Sequence, residues 1–205
     1  MNNLIKIFNM KKILLIFLAL TLSCLAIHAQ QDKNTEKQIT KFEEFSSKTG
    51  VIVKYTDVTL PDRLPMNRGV VLYTSIRTIM IGSENVYFYR LYTYGDGYTA
   101  WIEYSDLVEI NKAVSRLVAD VDADVAANPE YLENKFMTSD GFEVGYYVSK
   151  QKVTWYLKLK GNLELYPKIQ LKENFVVYPK RQQDIVDLFE AGQRKIEELR
   201  ASNDK

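Results

Sequence analysis

The spacing of apolar residues constrains the fold of this chain more than any other feature. Val51, Val53 and Tyr55 recur at every second position, which is typical of a strand with one buried face. From Leu107 to Val125 the apolar residues recur at every third or fourth position, which is typical of an amphipathic helix. The same change from strands to a helix occurs again after position 129. The sequence therefore predicts an α+β protein.

The pattern predicts an N-terminal helix followed by two antiparallel sheet-plus-helix units. A loop over 60–65, which contains two prolines, is expected to end the first strand. Ser105 is the expected N-cap of the second helix, and each sheet is expected to bury one face under the helix that follows it. In chain order, we predict a helix over 35–48, strands over 51–58, 69–81, 85–94 and 98–104, a helix over 105–128, strands over 131–138, 142–149, 152–160 and 163–178, and a helix over 181–200.

The two units resemble each other where a strand leads into a helix. Trp101-Ile102-Glu103-Tyr104 precedes the second helix and Phe175-Val176-Val177-Tyr178 precedes the third. A tandem duplication of four strands plus a helix would explain this repeat. Such a tandem resembles the single-stranded nucleic-acid-binding fold of the Whirly family and, more loosely, tandem pleckstrin-homology-like domains. The resemblance concerns architecture alone, since no functional residue of those families is found here, so it implies no function.

The N-terminus has the three parts of a bacterial export signal. Lys11 and Lys12 precede an apolar run that begins at Ile13, and Ala29 is a small residue at the predicted cleavage site. The segment from Ile13 to Ala29 is shorter than the roughly 20 residues of a membrane-spanning helix. We expect residues 1–29 to be removed as a signal peptide. The mature protein would lie in the periplasm or outside the cell, without an integral membrane span.

The only cysteine and the only histidine, Cys24 and His28, lie within this predicted signal. A mature chain that begins at Gln30 therefore has neither a thiol nor an imidazole. This composition excludes Ser-His-Asp and Cys-His nucleophiles, zinc sites built from these residues, and disulfides. Leu22-Ser23-Cys24 partly resembles a lipobox, so a lipid anchor on Cys24 is the alternative fate of the N-terminus. The mature chain is long enough for one domain or for two, divided into 30–128 and 129–205.

Charge and motifs exclude further classes of function. The chain has 27 basic and 26 acidic residues, and the predicted signal contains lysines but no acids, so the mature chain is slightly acidic. No nucleic-acid partner is expected from this balance. The sequence has no nucleophile elbow, Walker loop or dinucleotide-binding glycine motif, and no cofactor is predicted. The spacing of Asp120, Asp122 and Asp124 resembles the start of a calcium loop. However, Val125 replaces the required glycine, so we predict a solvated helix end and no metal site.

The most conspicuous candidate binding residues surround a predicted hairpin turn at 95–97. Side chains alternate across a strand, so the odd-numbered residues from Tyr87 to Leu91 share one face and the even-numbered residues from Val86 to Tyr94 the other. A strand with one buried face needs apolar rings on that face only, whereas this strand carries aromatic rings on both faces. Rings can stack on a ligand and an arginine can bind an anion, although aromatic pairing within the sheet is the alternative explanation. The predicted binding residues are Tyr89, Arg90, Tyr92, Tyr94 and Trp101.

We therefore expect an exported, non-catalytic binding or structural protein of the bacterial envelope, whose candidate partner is a protein or a glycan. The alternative is a carboxylate-dependent hydrolase of an envelope glycan or peptide, with two carboxyl groups about 5–10 Å apart in a cleft. A single-stranded nucleic-acid binder is a third hypothesis, which requires a basic groove lined by aromatic rings. The candidate carboxylates of the hydrolase are Glu103, Asp106, Glu109, Asp140 and Glu143.

Overall fold

The structure is a computed structural model, and it describes residues 39–66, 69–93, 97–161 and 174–203. The residues from Ile39 onward form one compact unit of mixed α+β structure. The predicted signal and Tyr94 lie outside the described residues. In chain order, the elements are α1 (Lys41–Ser46), β1 (Val53–Pro65), β2 (Val71–Ile81), β3 (Glu84–Thr93), β4 (Tyr98–Glu103), α2 (Tyr104–Ala126), β5 (Leu132–Met137), β6 (Glu143–Ser149), β7 (Lys152–Gly161), β8 (Asn174–Val177) and α3 (Gln182–Asn203).

All eight described strands belong to one antiparallel sheet. The strand order is β1-β2-β3-β4-β7-β6-β5, and β8 pairs with β7 outside this order. Each half of the chain contributes four strands that pair with their neighbours in sequence. The two halves meet where Tyr98 and Thr99 of β4 pair with Gly161 and Lys160 of β7. The predicted α+β class is confirmed.

Each half of the sheet is covered mainly by the helix of the other half. Helix α2 packs on β5, β6 and β7, where the hydroxyl of Tyr146 donates a hydrogen bond to Asp124 at 2.5 Å. Helix α3 packs on β2 and β3, where the hydroxyl of Tyr89 donates to the carbonyl oxygen of Leu188 at 2.8 Å. The prediction that each sheet is covered by the helix that follows it is therefore wrong for the second sheet and only partly met for the first, where α2 also packs on β3 and β4. Apolar spacing identifies the buried side of a helix, but not the strands beneath it.

The hydrophobic core lies between the two long helices and one face of the sheet. Ile76, Tyr89 and Ile102 are neighbours on three adjacent strands, and each is almost completely buried. Burying one such side chain contributes roughly 1.5–3 kcal/mol. Gly192 of α3 permits the close approach of helix and sheet, because a Cβ atom there would lie 2.8 Å from the ring of Tyr89.

Two predicted boundaries differ from the structure. Strand β1 continues through the predicted loop to Pro65, with a register shift between Thr59 and Arg63. It can do so because β1 is an edge strand, where a proline without an N–H group is tolerated. The N-cap of α2 is Glu103 rather than Ser105, and its carboxylate accepts a hydrogen bond from the Ser105 amide at 2.9 Å. Within the predicted range 35–48, residues 35–38 lie outside the described part, and Lys41–Ser46 forms a helix.

Candidate binding surface on the open face of the sheet

The face of the sheet turned away from α2 and α3 is called the open face here. The short helix α1 packs on its first half, where Phe42 and Phe45 contact the buried Phe88. Beyond α1, half-buried polar and aromatic side chains of β2, β3 and β4 form the surface. These side chains include several of the predicted binding residues.

Arginine guanidinium groups and aromatic rings alternate along this part of the open face. The guanidinium carbon of Arg77 lies 4.8 Å from the ring of Trp101, and that of Arg90 lies 4.7 Å from the same ring. Arg90 is also 4.4 Å from the ring of Tyr92. Each such contact contributes about 0.5–1 kcal/mol at an exposed site. We call the set the arginine–aromatic row; its members are Tyr55, Arg77, Trp101, Arg90, Tyr92 and Tyr73.

The strand register explains why these side chains meet. Arg90 of β3 lies opposite Trp101 of β4, and Tyr92 of β3 lies opposite Tyr73 of β2. Residues directly opposite each other in antiparallel strands project to the same face. The Tyr73 and Tyr92 rings therefore stack, with centroids 5.6 Å apart. The structure thus brings together three of the five predicted binding residues, Arg90, Tyr92 and Trp101.

Of the other two predicted residues, one is buried on the opposite face and one is not described by the structure. Tyr89 projects to the helix-covered face and is 1% exposed, with its hydroxyl bound to the Leu188 carbonyl. Tyr94 lies outside the described residues. Sequence reasoning also missed Arg77 and Tyr73. Both residues lie on β2, where side chains alternate between the two faces of the sheet. The hairpin that pairs β2 with β3 places them on the same face as Arg90.

Arg77 shows how the row binds a carboxylate. Its Nε and Nη2 atoms donate to the two carboxylate oxygens of Asp57 at 2.7 and 2.6 Å. This hydrogen bonding lowers the pKa of Asp57 below its ordinary value. The arrangement is the two-pronged geometry in which arginine recognises a carboxylate. The Arg77 guanidinium thus contacts the Trp101 ring and a carboxylate of the chain at the same time.

Helix α1 is fixed on the open face by stacking and by charge. The Phe42 ring stacks on Trp101 with centroids 4.1 Å apart and an interplanar angle of 5°. Thr40 and Glu43 form a reciprocal capping box at the start of the helix. Lys41 donates through Nζ to Asp106 at 2.7 Å and through its amide to Asp140 at 3.0 Å. One face of Trp101 is consequently occupied by the chain itself.

Three of the five candidate carboxylates of the hydrolase hypothesis meet around Lys41. Asp106 and Asp140 bind it directly, and Glu103 lies 3.9 Å from its Nζ. Burial raises the pKa of Asp140, although the hydrogen bond from the Lys41 amide opposes this effect. These contacts cap α2 and anchor α1. Within the described residues, no group of acidic side chains has the arrangement of a metal site.

The second half of the open face carries a network of carboxylates, lysines and tyrosines. Glu143 is 6% exposed and accepts hydrogen bonds from Lys158 at 2.5 Å and Lys135 at 3.1 Å. Despite its burial, these two lysines lower the pKa of Glu143. Glu133 accepts from the hydroxyl of Tyr156 at 2.5 Å, and burial together with this bond raises the pKa of Tyr156. We call this set the carboxylate network; it also includes Tyr131.

The remaining candidate acids lie elsewhere. Glu109 pairs with Lys112 on the exposed side of α2. Asp120 and Asp122 are exposed, whereas Asp124 accepts hydrogen bonds from Tyr146 and Asn134. Burial and this contact with Asp124 raise the pKa of Tyr146 to about 12. The three aspartates therefore do not act together.

A groove of about 360 Å³ borders the arginine–aromatic row at Tyr73. Its described lining contains no carboxylate, so it does not provide the cleft that the hydrolase hypothesis requires. The lining residues are Gly69, Val70, Val71, Tyr73, Thr93, Tyr98 and Phe175.

Comparison with known proteins found no matching family model, no similar curated protein and no similar solved structure. Among the described helices, none is both long and apolar enough to cross a membrane.

Proposed function

We propose that this chain is an exported, non-catalytic binding protein of the bacterial envelope, whose partner contacts the arginine–aromatic row. The observation that carries this proposal is the alternation of Arg77 and Arg90 with rings on the open face, beside helix α1. Binding is favoured when the contacting side chains are already ordered, because less conformational freedom is lost. Arg90 meets this condition, since two rings and the Thr99 hydroxyl contact its guanidinium group.

Photo-crosslinking inside the cell tests the binding surface. A benzophenone amino acid replaces Tyr92, and in a matched control it replaces Tyr147, which is also a half-buried tyrosine on the open face but lies in the second half. We expect an adduct from position 92 and little from position 147, with the adduct identified by mass spectrometry. Equal yields at the two positions, or none at position 92, would contradict the proposed surface.

Export is a separate part of the proposal and has its own test. It is supported by the basic residues, apolar run and small residue at the N-terminus. Mass spectrometry of the protein purified from cells is expected to give Gln30 as the first residue. A lipid on Cys24 would instead indicate an anchored form. A functional chain that retains residues 1–29 in the cytosol would contradict export.

We also infer that the two halves arose by duplication. Within the described residues, both halves have four strands followed by a helix. Ile102 and Val177, in the last strand of each half, are both buried in the shared core. The spacing between them is the same as that between Ile110 and Ile185 in the two long helices. Homologous sequences test this inference: some should have halves that align more closely, whereas halves that never align would contradict it.

A further inference from the structure

We infer that β1 pairs with β1 of a second copy of this chain, antiparallel and with Tyr55 opposite its own copy. This inference does not depend on the partner of the proposed function. Among the described strands, β1 lies at one end of the strand order and has β2 as its neighbour. It is 13 residues long, the longest of these strands. The edge of a sheet presents backbone N–H and C=O groups that can pair with another strand.

The first part of this edge is exposed on both faces of the sheet. Over 51–59 every residue is exposed except Val53 and Val58, which are half-buried. Ile52, which directly precedes β1, has 90% of its surface exposed, and Tyr55 on the open face has 41%. The long helices therefore leave the side chains of this segment largely uncovered.

The same segment has the composition of a strand that pairs with another. Residues 51–59 are mostly β-branched, contain neither proline nor glycine, and have one lysine and one aspartate, whose charges cancel. An exposed segment of this kind readily pairs with another chain. Features that protect a sheet edge begin only beyond it, with the register shift between Thr59 and Arg63 and the prolines at 61 and 65. A partner strand is therefore expected along 51–59 and not beyond.

Symmetry limits the register of a dimer built on this edge. A twofold axis between two antiparallel edges is perpendicular to the sheet, so the open faces of both copies lie on the same side. Because side chains alternate between faces, an odd-numbered residue must face an odd-numbered one, and one residue faces its own copy at the axis. Lys54 or Asp57 at the axis would place like charges opposite each other, which is destabilising. Val53 or Val58 there would shorten the pairing, at the start of the strand or at Pro61.

Tyr55 at the axis gives the most complementary pairing. The two Tyr55 rings then meet on the open face. On the other face, the exposed Ile52 lies opposite Val58 of the second copy, and Lys54 lies opposite Thr56. Aromatic and β-branched cross-strand pairs of this kind stabilise a sheet. With Thr56 at the axis, Lys54 would instead lie opposite Val58, so that a charge would face an apolar side chain.

The pairing has two consequences for the assembly. A single strand pair buries less area than a standard interface, so we expect a weak dimer whose population depends on protein concentration. The two copies would form one continuous sheet, and the arginine–aromatic rows of both would lie on the same side of it.

Disulfide trapping tests the register. In a Cys24→Ser background the chain has no other thiol. Tyr55→Cys should link two copies rapidly under mild oxidation, because directly opposed residues have Cα atoms about 4.5–5.5 Å apart, within the span of a disulfide. Thr59→Cys is the matched control, since it is exposed on the same face of β1 but would lie about 26 Å from its own copy. We expect the linked dimer to form at least about tenfold faster at position 55 than at position 59.

Charge substitutions at Thr56 test the pairing with the Tyr55 rings intact. Thr56 is exposed and would lie opposite Lys54 of the second copy twice, once on each side of the axis. Sedimentation over a range of protein concentrations at low ionic strength should show that Thr56→Glu lowers the dimer Kd about three- to tenfold. Thr56→Lys should raise the Kd by a similar factor. Thr59→Glu and Thr59→Lys, which would face the apolar Val51, should not differ from each other in this way.

Three outcomes would overturn the inference, with circular dichroism used to check that each variant is folded. One is a wild-type chain that remains monomeric up to about 1 mM. Another is equally fast disulfide formation at positions 55 and 59. The third is a dimer whose Kd does not respond in opposite directions to the two Thr56 substitutions, because the contact would then lie elsewhere. If the chain is monomeric and a benzophenone amino acid at position 54 links it to another protein in the cell, the edge accepts a foreign strand instead. The crosslink at position 92 tests the proposed function separately in every case.

Discussion

On the first half of the open face two arginines contact the same aromatic ring, whereas on the second half two lysines donate to the same buried carboxylate. Arg77 and Arg90 contact Trp101, with ring distances below 5 Å. Lys135 and Lys158 instead donate to the buried Glu143. Both arrangements order long side chains on a sheet surface that the long helices leave uncovered.

The difference distinguishes the surface proposed to bind a partner from a network of ion pairs and hydrogen bonds within the chain. In the carboxylate network each acid meets its donors within the chain, so its charge is largely neutralised there. In the arginine–aromatic row, the cations contact rings, and Arg77 also pairs with Asp57. We expect the second half of the open face to contribute mainly stability, and the first half to carry the binding surface proposed above. Four substitutions test this contrast, from the largest expected effect to the smallest.

Gly145→Ala should have the largest effect on stability, because it disrupts the packing of β6 against β5 beneath the carboxylate network. An added Cβ would lie 2.3 Å from the carbonyl oxygen of Asn134 and 2.9 Å from the Cα of Lys135, so β5 and β6 would have to separate. We expect a loss of about 3 kcal/mol in the free energy of unfolding, measured by urea denaturation. Gly97→Ala is the control, since the nearest atom there is 4.0 Å away. Similar losses for both variants would contradict the prediction.

Glu143→Gln should cost about 2 kcal/mol, because it leaves two lysines without their shared carboxylate. The pKa of Glu143 is lowered in the folded protein. Its stabilisation is therefore present above its ordinary value of 4.5 and is lost as the pH falls through the lower, folded-state pKa. Denaturation followed over this acidic range should show a smaller pH dependence for the variant. The control Glu109→Gln alters an exposed pair and should change stability little; an equal change in both would refute a special role for Glu143.

Phe42→Ala should cost about 1–2 kcal/mol, because it removes a partly buried ring that stacks on Trp101. Loss of this contact should also expose Trp101. In a Trp155→Phe background, where Trp101 is the remaining tryptophan, acrylamide should quench fluorescence more strongly in the variant. Phe42→Leu, which retains apolar volume, should have a smaller effect. Unchanged quenching would show that α1 does not cover Trp101 in solution.

Asp57→Asn should have the smallest effect on stability, below about 1 kcal/mol, because the pair with Arg77 is partly exposed. Since hydrogen bonding lowers the pKa of Asp57, the small contribution is lost only below its ordinary value of 3.8. Urea denaturation at neutral pH measures this effect, and a loss of stability as large as that of Glu143→Gln would contradict the prediction.

The sequence predicted those elements whose signals are local. Strands β2, β3 and β4 lie within two residues of their predicted limits. The predicted turn at Lys150-Gln151 is also found, and both residues have positive φ angles, of 51° and 59°. Such turns and alternating patterns depend on neighbours along the chain, so a single sequence contains the information.

Contacts between distant segments could not be predicted in the same way. The alternation of side chains along the strand correctly placed Arg90 and Tyr92 on one face. It did not indicate which face of the sheet the helices would cover. Tyr89 was therefore grouped with residues on the opposite face, although it lies in the core beside Gly192. The stacking of Phe42 on Trp101 is equally non-local, because it depends on how α1 returns to the sheet.

The crossed placement of the two long helices makes the halves of the chain mutually dependent. A protease that cuts between Asn128 and Pro129 would produce two fragments. The long helix of each fragment would pack on strands of the other fragment. Such a nicked molecule should stay assembled under native conditions. Separated fragments should regain structure only when mixed, so this loop is a natural position for a split-protein reporter.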